Sequence, residues 1–151
     1  MEENHDMNGI SYRKATVTDW NQITNLLQNA NLLLDGAQEH LEHFVVVIKD
    51  EALIGCAGLE IYGEYALLRS VAVAEGARGQ GLGIKLIEEI LKRAKEDHLR
   101  TIILLTETAQ DFFPKFGFKQ IKRDDAPASV KESIEFKEAC LASAVAMQLD
   151  L

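Results

Sequence analysis

The fold is decided by residues 65–83, which read YALLRSVAVAEGARGQGLG. The first part of this stretch, 65–74, is mostly apolar and is typical of a buried β-strand. Four glycines lie within the next nine residues, 75–83, and apolar residues then recur at helical spacing over 84–97. The order strand, glycine-rich turn, helix therefore predicts a helix whose first turn directly follows the end of a strand.

The turn RGQGLG at 78–83 predicts an anion-binding site. Glycine adopts positive φ and leaves no Cβ in the path of a ligand, so successive N–H groups can point outward together. These N–H groups and the helix dipole attract phosphate, and Arg78 adds a positive charge at the edge of the turn. A Walker loop is excluded, because Ile84-Lys85 follows Gly83 where that motif needs Lys-Ser or Lys-Thr.

Two other interpretations of the turn stay open. The glycines could simply shape a tight strand-to-helix connection. Alternatively, the turn could belong to the dinucleotide-binding unit of a nicotinamide-dependent oxidoreductase, with Glu107 in the place of the ribose-binding acid. That fingerprint needs Gly-x-Gly-x-x-Gly, whereas the spacing at 79–83 is Gly-x-Gly-x-Gly, and about half of this chain precedes the turn.

The remaining periodicity predicts a mixed α/β domain. A helix following Thr18-Asp19 and a meander of antiparallel strands precede the turn, and the strand after the helix should lie parallel to 65–74, because a crossover helix joins them. The predicted strands lie at 10–16, 44–49, 53–62, 65–74, 101–106, 118–122 and 143–149, with helices also at 84–97, 108–115 and 127–139. Residues 1–8 are expected to be a flexible N-terminus and 9–151 a single domain, in which 29–40 is a candidate substrate lid.

Composition narrows the class of protein. The 151 residues are 47% hydrophobic and 26% charged, which suffices for a core without a disulfide or a metal. A net charge of −8 disfavours nucleic acid and anionic membranes as partners, and no stretch approaches the roughly 20 apolar residues of a membrane span. Cys56, Cys140 and the scattered histidines form no metal spacing. We expect a cytoplasmic protein that binds no metal, nucleic acid or membrane.

In its motifs and their order, the chain resembles the GCN5-related N-acetyltransferases (GNAT). The resemblance rests on LLRSVAV at 67–73, on Arg78-x-x-Gly81-x-Gly83, and on AQDFFPKFGF at 109–118. It implies an α/β fold of the acyl-CoA N-acyltransferase type, in which antiparallel N-terminal strands are followed by two parallel central strands that splay apart. More narrowly, the chain is similar to arsenic-resistance and single-domain glutamate N-acetyltransferases, on the segments GLE, LTETA and CLASA at 58–60, 105–109 and 140–144.

The resemblance implies acetyl-CoA as the co-substrate. Its diphosphate would lie on the N–H groups of the glycine turn, and its pantetheine would run along the backbone of residues 71–73 like an added strand. The phenylalanines after the second parallel strand would pack against the pantetheine. The cofactor-binding residues predicted in this way are Val71, Ala72, Val73, Arg78, Gly79, Gln80, Gly81, Leu82, Gly83 and Phe113.

The narrower resemblance implies that the acceptor is the amine of a small molecule, with a glutamate-like amino acid as the suggested substrate. An α-amine has a pKa near 8 and needs little help to lose its proton, so a carboxylate acting through water suffices as a base. Glu60 is the predicted base, with a pKa raised by partial burial, unless it is an edge-strand residue facing water. Glu107 is the second candidate, unless it serves to cap a helix.

Three further residues are predicted to bind the substrate. Arg69 lies in an apolar strand, where a charge needs a partner. It could form a two-pronged bond with a substrate carboxylate or pair with Glu60 across neighbouring strands. Thr106 and Ser143 complete the predicted set.

Phe113 departs from the family pattern. It stands where the family often has a tyrosine that protonates the leaving thiolate, and phenylalanine cannot donate a proton. We therefore assign no general acid, and a non-catalytic acyl-CoA-binding or regulatory module stays open as the alternative function. The last predicted helix, with Ile134 and Phe136, leaves a homodimer open as well.

Overall fold

The computed structural model describes residues 4–5, 9–138 and 144–151. Their strands are β1 (Asn4–His5), β2 (Ile10–Lys14), β3 (Phe44–Lys49), β4 (Ala52–Tyr62), β5 (Tyr65–Val73), β6 (Thr101–Thr106), β7 (Lys119–Ile121) and β8 (Val145–Asp150). The α-helices are α1 (Trp20–Asn29), α2 (Leu82–Glu96), α3 (Ala128–Lys131) and α4 (Ile134–Glu138), and short 3-10 turns cover Val17–Asp19, Gln38–His43, Glu75–Ala77, Phe113–Phe116 and Arg123–Asp125.

The strands form one sheet in the order β1-β2-β3-β4-β5-β6-β8-β7. Every neighbouring pair is antiparallel except β5 and β6, which are parallel and joined by α2. Their pairing runs from Tyr65–Thr101 to Leu68–Leu104 and then ends, although β5 continues to Val73. The predicted mixed sheet with two splayed parallel central strands is therefore confirmed.

A β-bulge lies at the point where β5 leaves β6. The register between β4 and β5 shifts between Cys56 and Gly58, and Ser70 has a φ of +59°. A bulge bends its strand and increases the local twist. A Cβ on Gly58 would lie 2.1 Å from the ring of Phe44, so only glycine fits there. The bend gives a physical reason for the splay.

The sheet is covered on both faces. Helix α2 buries its apolar stripe against alternate residues of β3 and β4, such as Val45 and Leu59, on one face. Helix α1 buries Ile23 and Leu27 on the other, against Phe44 and its face neighbours. The central strands are packed on both faces and hydrogen-bonded to their neighbours, so the sheet is a rigid frame for the residues at its splayed end.

Two predicted helices are shorter than expected. The helix predicted at 108–115 is only the 3-10 turn Phe113–Phe116, because the Thr106 hydroxyl accepts the N–H of Ala109 and makes a turn before it. The helix predicted at 127–139 is divided into α3 and α4 by Ser133, whose hydroxyl accepts the N–H of Phe136 at 3.2 Å. Hydroxyl side chains of this kind compete with helical hydrogen bonds. In the described ranges, no helix has the length and apolar character needed to cross a membrane.

Candidate active site

A glycine cradle, defined here as residues 79–83, forms the start of α2. Gly79 and Gly81 have φ of +83° and +76°, which L side chains rarely adopt. A Cβ on either would meet no atom within 4 Å, so both face open space. These two positions therefore need glycine because of their positive φ. They do not need it for lack of space around a Cβ.

The cradle offers unpaired backbone donors. Within the described residues, the N–H groups of 79–84 donate to no other backbone group, and no side chain caps α2. The first N–H groups of a helix have no partner inside the helix, and they attract an anion. A cavity of about 280 Å³ opens over them, lined among others by Val73, Arg78, Ile84 and Phe112. This set of donors fits the diphosphate of coenzyme A.

The end of β5 is open toward β6. Past Leu68, β5 has no β6 partner among the described residues, while its other edge continues to pair with β4 up to Val73. Arg78 donates from Nε to the Val73 carbonyl at 3.0 Å and so ties the cradle to the strand. An extended ligand could pair with this free edge as an added strand does.

A second cavity, of about 180 Å³, fills the space between the splayed strands. Its walls include Ser70 and Val71 of β5, Thr106 of β6 and Phe113, which is 5% exposed. Phe112 lines this cavity and also the one over the glycine cradle. The two cavities are therefore neighbours along the free edge of β5.

A buried ion pair lies beside the second cavity. Arg69 Nη1 and Glu60 Oε2 are 2.7 Å apart, and the two residues are 2% and 1% exposed. Glu60 also accepts a hydrogen bond from the Tyr62 hydroxyl. Of the two interpretations of Arg69, pairing with Glu60 across neighbouring strands is the one that the structure contains.

The remaining donors of Arg69 point to fixed acceptors. Its guanidinium donates to the carbonyls of Leu33 at 3.0 Å and Asp35 at 2.9 Å, and Nε donates to the Ser70 hydroxyl at 3.0 Å. The carbonyls belong to the loop that follows α1. Arg69 therefore fastens this loop to β5, and in this arrangement it has no accessible donor for the carboxylate of a substrate.

Glu135 is an acidic residue of the candidate site that the sequence did not predict. It lines the cavity between β5 and β6, and its Oε2 lies 3.5 Å from Arg69 Nη2. Its side chain is 15% exposed, and Oε2 accepts no hydrogen bond within the described residues. Burial raises the pKa of Glu135, Arg69 opposes that shift, and the charge of Glu60 adds to it. The available signal was a carboxylate between two apolar residues, Ile134 and Phe136.

The sequence itself carries the signature of a known family. Residues 40–120 match the family described as the acetyltransferase (GNAT) domain. The chain belongs to this family. The predicted membership of the GNAT family is therefore confirmed.

Known proteins that are similar to this GNAT chain include the following three. The amino-acid acetyltransferase of Aeromonas salmonicida is 29% identical over 124 residues, which cover 76% of this chain and 28% of that protein. N-acetylglutamate synthase from Neisseria gonorrhoeae, complexed with coenzyme A and N-acetyl-glutamate, has a TM-score of 0.81 at 21% identity, covering 94% of this chain and 35% of that one.

The third is the Mycobacterium tuberculosis protein Rv2747 in complex with CoA and NLQ, with a TM-score of 0.79 at 23% identity, covering 93% of the GNAT chain and 98% of the other. These structural likenesses support the fold. The GNAT chain spans under a third of the length of the curated relative from Aeromonas.

The predicted base of the GNAT chain needs correction in one respect. Burial alone would raise the pKa of Glu60, but hydrogen bonds from Ser133, Tyr62 and Arg69 outweigh it and hold that pKa below its usual range. The expected rise is wrong, because the sequence does not reveal how many donors surround the carboxylate. Glu60 is also absent from the lining of the cavity between β5 and β6.

Other predicted residues of the GNAT chain have separate positions. Glu107 is exposed and does not line the cavity. Ser143 and Cys140 lie outside the described residues. Phe136, part of the predicted dimer surface, is 5% exposed and packs inside the chain against Leu67 and its neighbours, so it offers no surface for a partner.

The thiol of Cys56 is buried, and burial raises its pKa to about 12, which leaves it protonated and unreactive. In the part of the GNAT chain that the structure describes, no cluster of three or more potential metal ligands is present.

Proposed function

We propose that this GNAT chain is an acetyl-CoA-dependent N-acetyltransferase that modifies the α-amine of a small amino acid. The observation that carries the proposal is the pair of neighbouring cavities along the free edge of β5. One is lined by backbone N–H groups that donate to no other backbone group in the described part of the chain, and it suits a diphosphate. The other lies between the splayed strands and has a carboxylate at its wall. A donor and an amine can therefore meet at the strand edge.

The donor side of the proposal uses the backbone. The N–H groups of the glycine cradle and the guanidinium of Arg78 would hold the diphosphate, while the backbone of Val71–Val73 pairs with the pantetheine. Phe113 is expected to pack against the pantetheine, since its ring lines the second cavity. Gln80 and Leu82 would contribute through their N–H groups alone. This side needs no basic surface, which agrees with a net charge of −8.

Acetyl-CoA supplies a thioester whose carbonyl carbon is attacked by the amine. The N–H of Val71, in the wall of the cavity, is proposed to donate to the carbonyl oxygen as negative charge develops on it. Phe113 carries no proton for the departing thiolate. A thiol with an ordinary pKa of about 8.5 leaves readily near neutral pH, so solvent can protonate it.

The acceptor is proposed to be a glutamate-like amino acid, for which the names of the similar proteins are the support. The Aeromonas relative is an amino-acid acetyltransferase, and the Neisseria structure contains N-acetyl-glutamate. Thr106 and Ser143 remain proposed contacts of the acceptor. Arg69 is now proposed as a positioning residue, because its donors hold Glu60 and the loop at Leu33 and Asp35.

The loop after α1 is proposed as the cover of the acceptor side. Leu32 lines the cavity between the splayed strands and is 37% exposed. Two carbonyls of the same loop are tied to Arg69. Glycine at position 36 and Asn31 both have positive φ, at +82° and +58°. The position of the cover would therefore depend on the buried ion pair.

The experiment is a titration followed by an activity assay. Calorimetry should show that coenzyme A binds to the full chain and that NADH does not. Release of free thiol from acetyl-CoA should then be followed with glutamate, glutamine, aspartate and a simple alkylamine as acceptors. Binding without turnover on any amine would support a non-catalytic module instead, and preferential binding of NADH would overturn the family-based assignment of the donor.

A further inference from the structure

Glu135 is the acidic residue whose side chain reaches the space where the proposed reaction would occur. Among the described residues that line the cavity between β5 and β6, only Arg69 and Glu135 are charged. Val71, with the N–H proposed to polarise the thioester, lines the same cavity. Glu60 and Glu107 do not. The Glu135 carboxylate and the proposed carbonyl site therefore border the same cavity.

The charges around Glu135 leave it incompletely neutralised. Arg69 lies between two carboxylates, at 2.7 Å from Glu60 and 3.5 Å from Glu135. Its single positive charge is matched by Glu60, which takes the shorter contact. When all three are ionised and His40, whose Nε2 lies 3.8 Å from Glu60 Oε1, is neutral, the group carries one excess negative charge. A buried carboxylate in that state favours a cation as its ligand.

The hydrogen bonds lead to the same conclusion. Glu60 has both oxygens engaged, one by Arg69 and one by Tyr62. Glu135 Oε2 is buried and accepts no hydrogen bond in the described part of the chain. Its contact with Arg69 Nη2 at 3.5 Å is an ion pair without a hydrogen bond, and a positively charged N–H donor from a ligand would supply the missing bond.

We propose that Glu135 binds the ammonium group of the acceptor and takes its proton before acetyl transfer. This inference rests on the proposed function and names the catalytic residue on its acceptor side. It also specifies the acceptor class as a primary amine that arrives protonated. A neutral alcohol would gain nothing from the charge of Glu135.

The step balances in protons and electrons. The ammonium gives one proton to the Glu135 carboxylate, and the freed lone pair of the nitrogen forms a bond with the carbonyl carbon of the thioester. The carbon–sulfur bond breaks, and its electron pair leaves with sulfur as a thiolate. The nitrogen loses a second proton as the amide forms. One of these two protons ends on the thiolate and the other in solvent, so the products are the amide, coenzyme A and one proton.

The groups that face Glu135 set its proton affinity. Arg69 on β5 favours the ionised form, Glu60 on β4 opposes it, and burial opposes it most. The resulting rise in the pKa of Glu135 brings it closer to neutral pH, where a base is most effective. Glu60 has a lowered pKa and is the weaker proton acceptor of the two.

The test is the nearly isosteric variant Glu135→Gln, compared with Glu132→Gln as the matched control. Glu132 lies three residues away, its side chain is 76% exposed, and its partner is the surface residue Lys137. Three quantities are measured: coenzyme A affinity by calorimetry, affinity of the amino acid for the coenzyme A complex, and kcat/KM as a function of pH. Thermal unfolding of each variant verifies the fold.

For Glu135→Gln we expect unchanged coenzyme A affinity, weaker binding of the amino acid, and a fall in kcat/KM of about 100-fold, the usual worth of a general base. In the unmodified chain, kcat/KM should rise with pH as Glu135 loses its proton. It should then level off once Glu135 is ionised, and Glu132→Gln should share this profile. In Glu135→Gln, kcat/KM should instead follow the neutral fraction of the amine and keep rising toward the amine pKa near 8. Glu135→Asp, which keeps the carboxylate, should retain the profile of the unmodified chain at reduced rate.

Each outcome distinguishes the inference from the function on which it rests. If the unmodified chain acetylates an amino acid and Glu135→Gln keeps both its rate and its pH profile, Glu135 is not the base and the proposed function survives. If the unmodified chain binds coenzyme A but acetylates no amine, the proposed function and the base are both overturned. Loss of coenzyme A affinity in Glu135→Gln would reassign the residue to the donor side.

Discussion

The proposed site has a donor end, formed by the glycine cradle and the free edge of β5, and an acceptor end, formed by the buried charges beside the second cavity. The two ends are built in different ways. The donor end consists of backbone groups from one continuous run, 71–83, in which a Cβ on Gly79 or Gly81 would meet open space. The acceptor end consists of buried charged side chains, Glu60, Arg69 and Glu135, from separate strands and a helix. A backbone site depends on conformation at a few positions. A site of buried charges depends on every partner, because removing one leaves another uncompensated.

The largest expected effect follows from removing the cation of the acceptor end. Arg69→Ala should lower the free energy of unfolding by about 3–5 kcal/mol, because it leaves Glu60 and Glu135 buried without their counter-charge. Urea denaturation measures this loss. The matched control is Arg100→Ala, which removes an arginine whose ion pair with Glu64 is exposed to solvent, with side chains 69% and 60% exposed, and which should cost at most about 1 kcal/mol. If both variants lost the same small free energy of unfolding, the acceptor end would not depend on the buried charge of Arg69.

A charge in the glycine cradle should have the next largest effect. Gly81→Glu should weaken coenzyme A binding by about 100-fold, because like charges placed together cost several kcal/mol. Gly63→Glu is the control, since Gly63 has a φ of +65° with open space around it, at the opposite end of β5. Both variants strain the backbone, and calorimetry should show that only Gly81→Glu loses the ligand. Unchanged affinity in a folded Gly81→Glu would refute the cradle.

The pH dependence of stability separates Glu60 from a surface carboxylate. Glu60→Gln should be less stable at neutral pH by about 1–3 kcal/mol, because the hydrogen bonds from Arg69 and Tyr62 to an ionised carboxylate are replaced by weaker bonds to a neutral amide. The pKa of Glu60 is lowered by folding, so its stabilisation is complete above the reference value of 4.5 and is lost as the pH falls through the lower folded value. The difference between the two proteins should therefore shrink below about pH 4.5.

Denaturation across this range measures the effect, with Glu64→Gln as control. Glu64 is exposed and pairs with Arg100 at 3.3 Å, so its replacement should change stability little at any pH. A Glu60→Gln difference that stays constant down to pH 3 would contradict the role of the ionised carboxylate.

The smallest expected effect concerns the third glycine of the cradle. Gly83 lies inside α2 at an ordinary φ, and a Cβ there would meet only the Phe112 ring at 3.7 Å. Gly83→Ala should therefore raise the free energy of unfolding by about 0.5–1 kcal/mol and retain coenzyme A binding. Gly81→Ala should instead be destabilising, because of its left-handed φ. Loss of coenzyme A binding in Gly83→Ala would show that space, and not only φ, limits the cradle.

Much of the fold could be predicted because its signals are local. The apolar runs at 44–49 and 101–106 match β3 and β6, and α2 lies close to the predicted helix at 84–97. The prediction of one continuous helix at 127–139 is wrong, because the hydroxyl of Ser133 accepts a backbone N–H and starts a new turn there. Periodicity over a window cannot resolve a hydrogen bond made by one side chain.

In the candidate site, too, local features could be predicted from the sequence, whereas contacts between distant segments could not. The glycine cradle could be predicted from residues 78–83 alone, because glycine is the residue type that adopts a positive φ without strain. The partner of Arg69 could not be chosen, because the register between β4 and β5, with its bulge, brings Glu60 to its guanidinium. Glu135 could not be found, since its contact with Arg69 joins positions far apart in the chain.

The sequence by itself determined the order of the elements, the parallel crossover and the place of the backbone donors, because each depends on residues within one turn or one strand. Only the tertiary structure decided which carboxylate neutralises Arg69 and which one faces the cavity. That choice is a balance of charge, burial and hydrogen bonds among segments that meet only after folding.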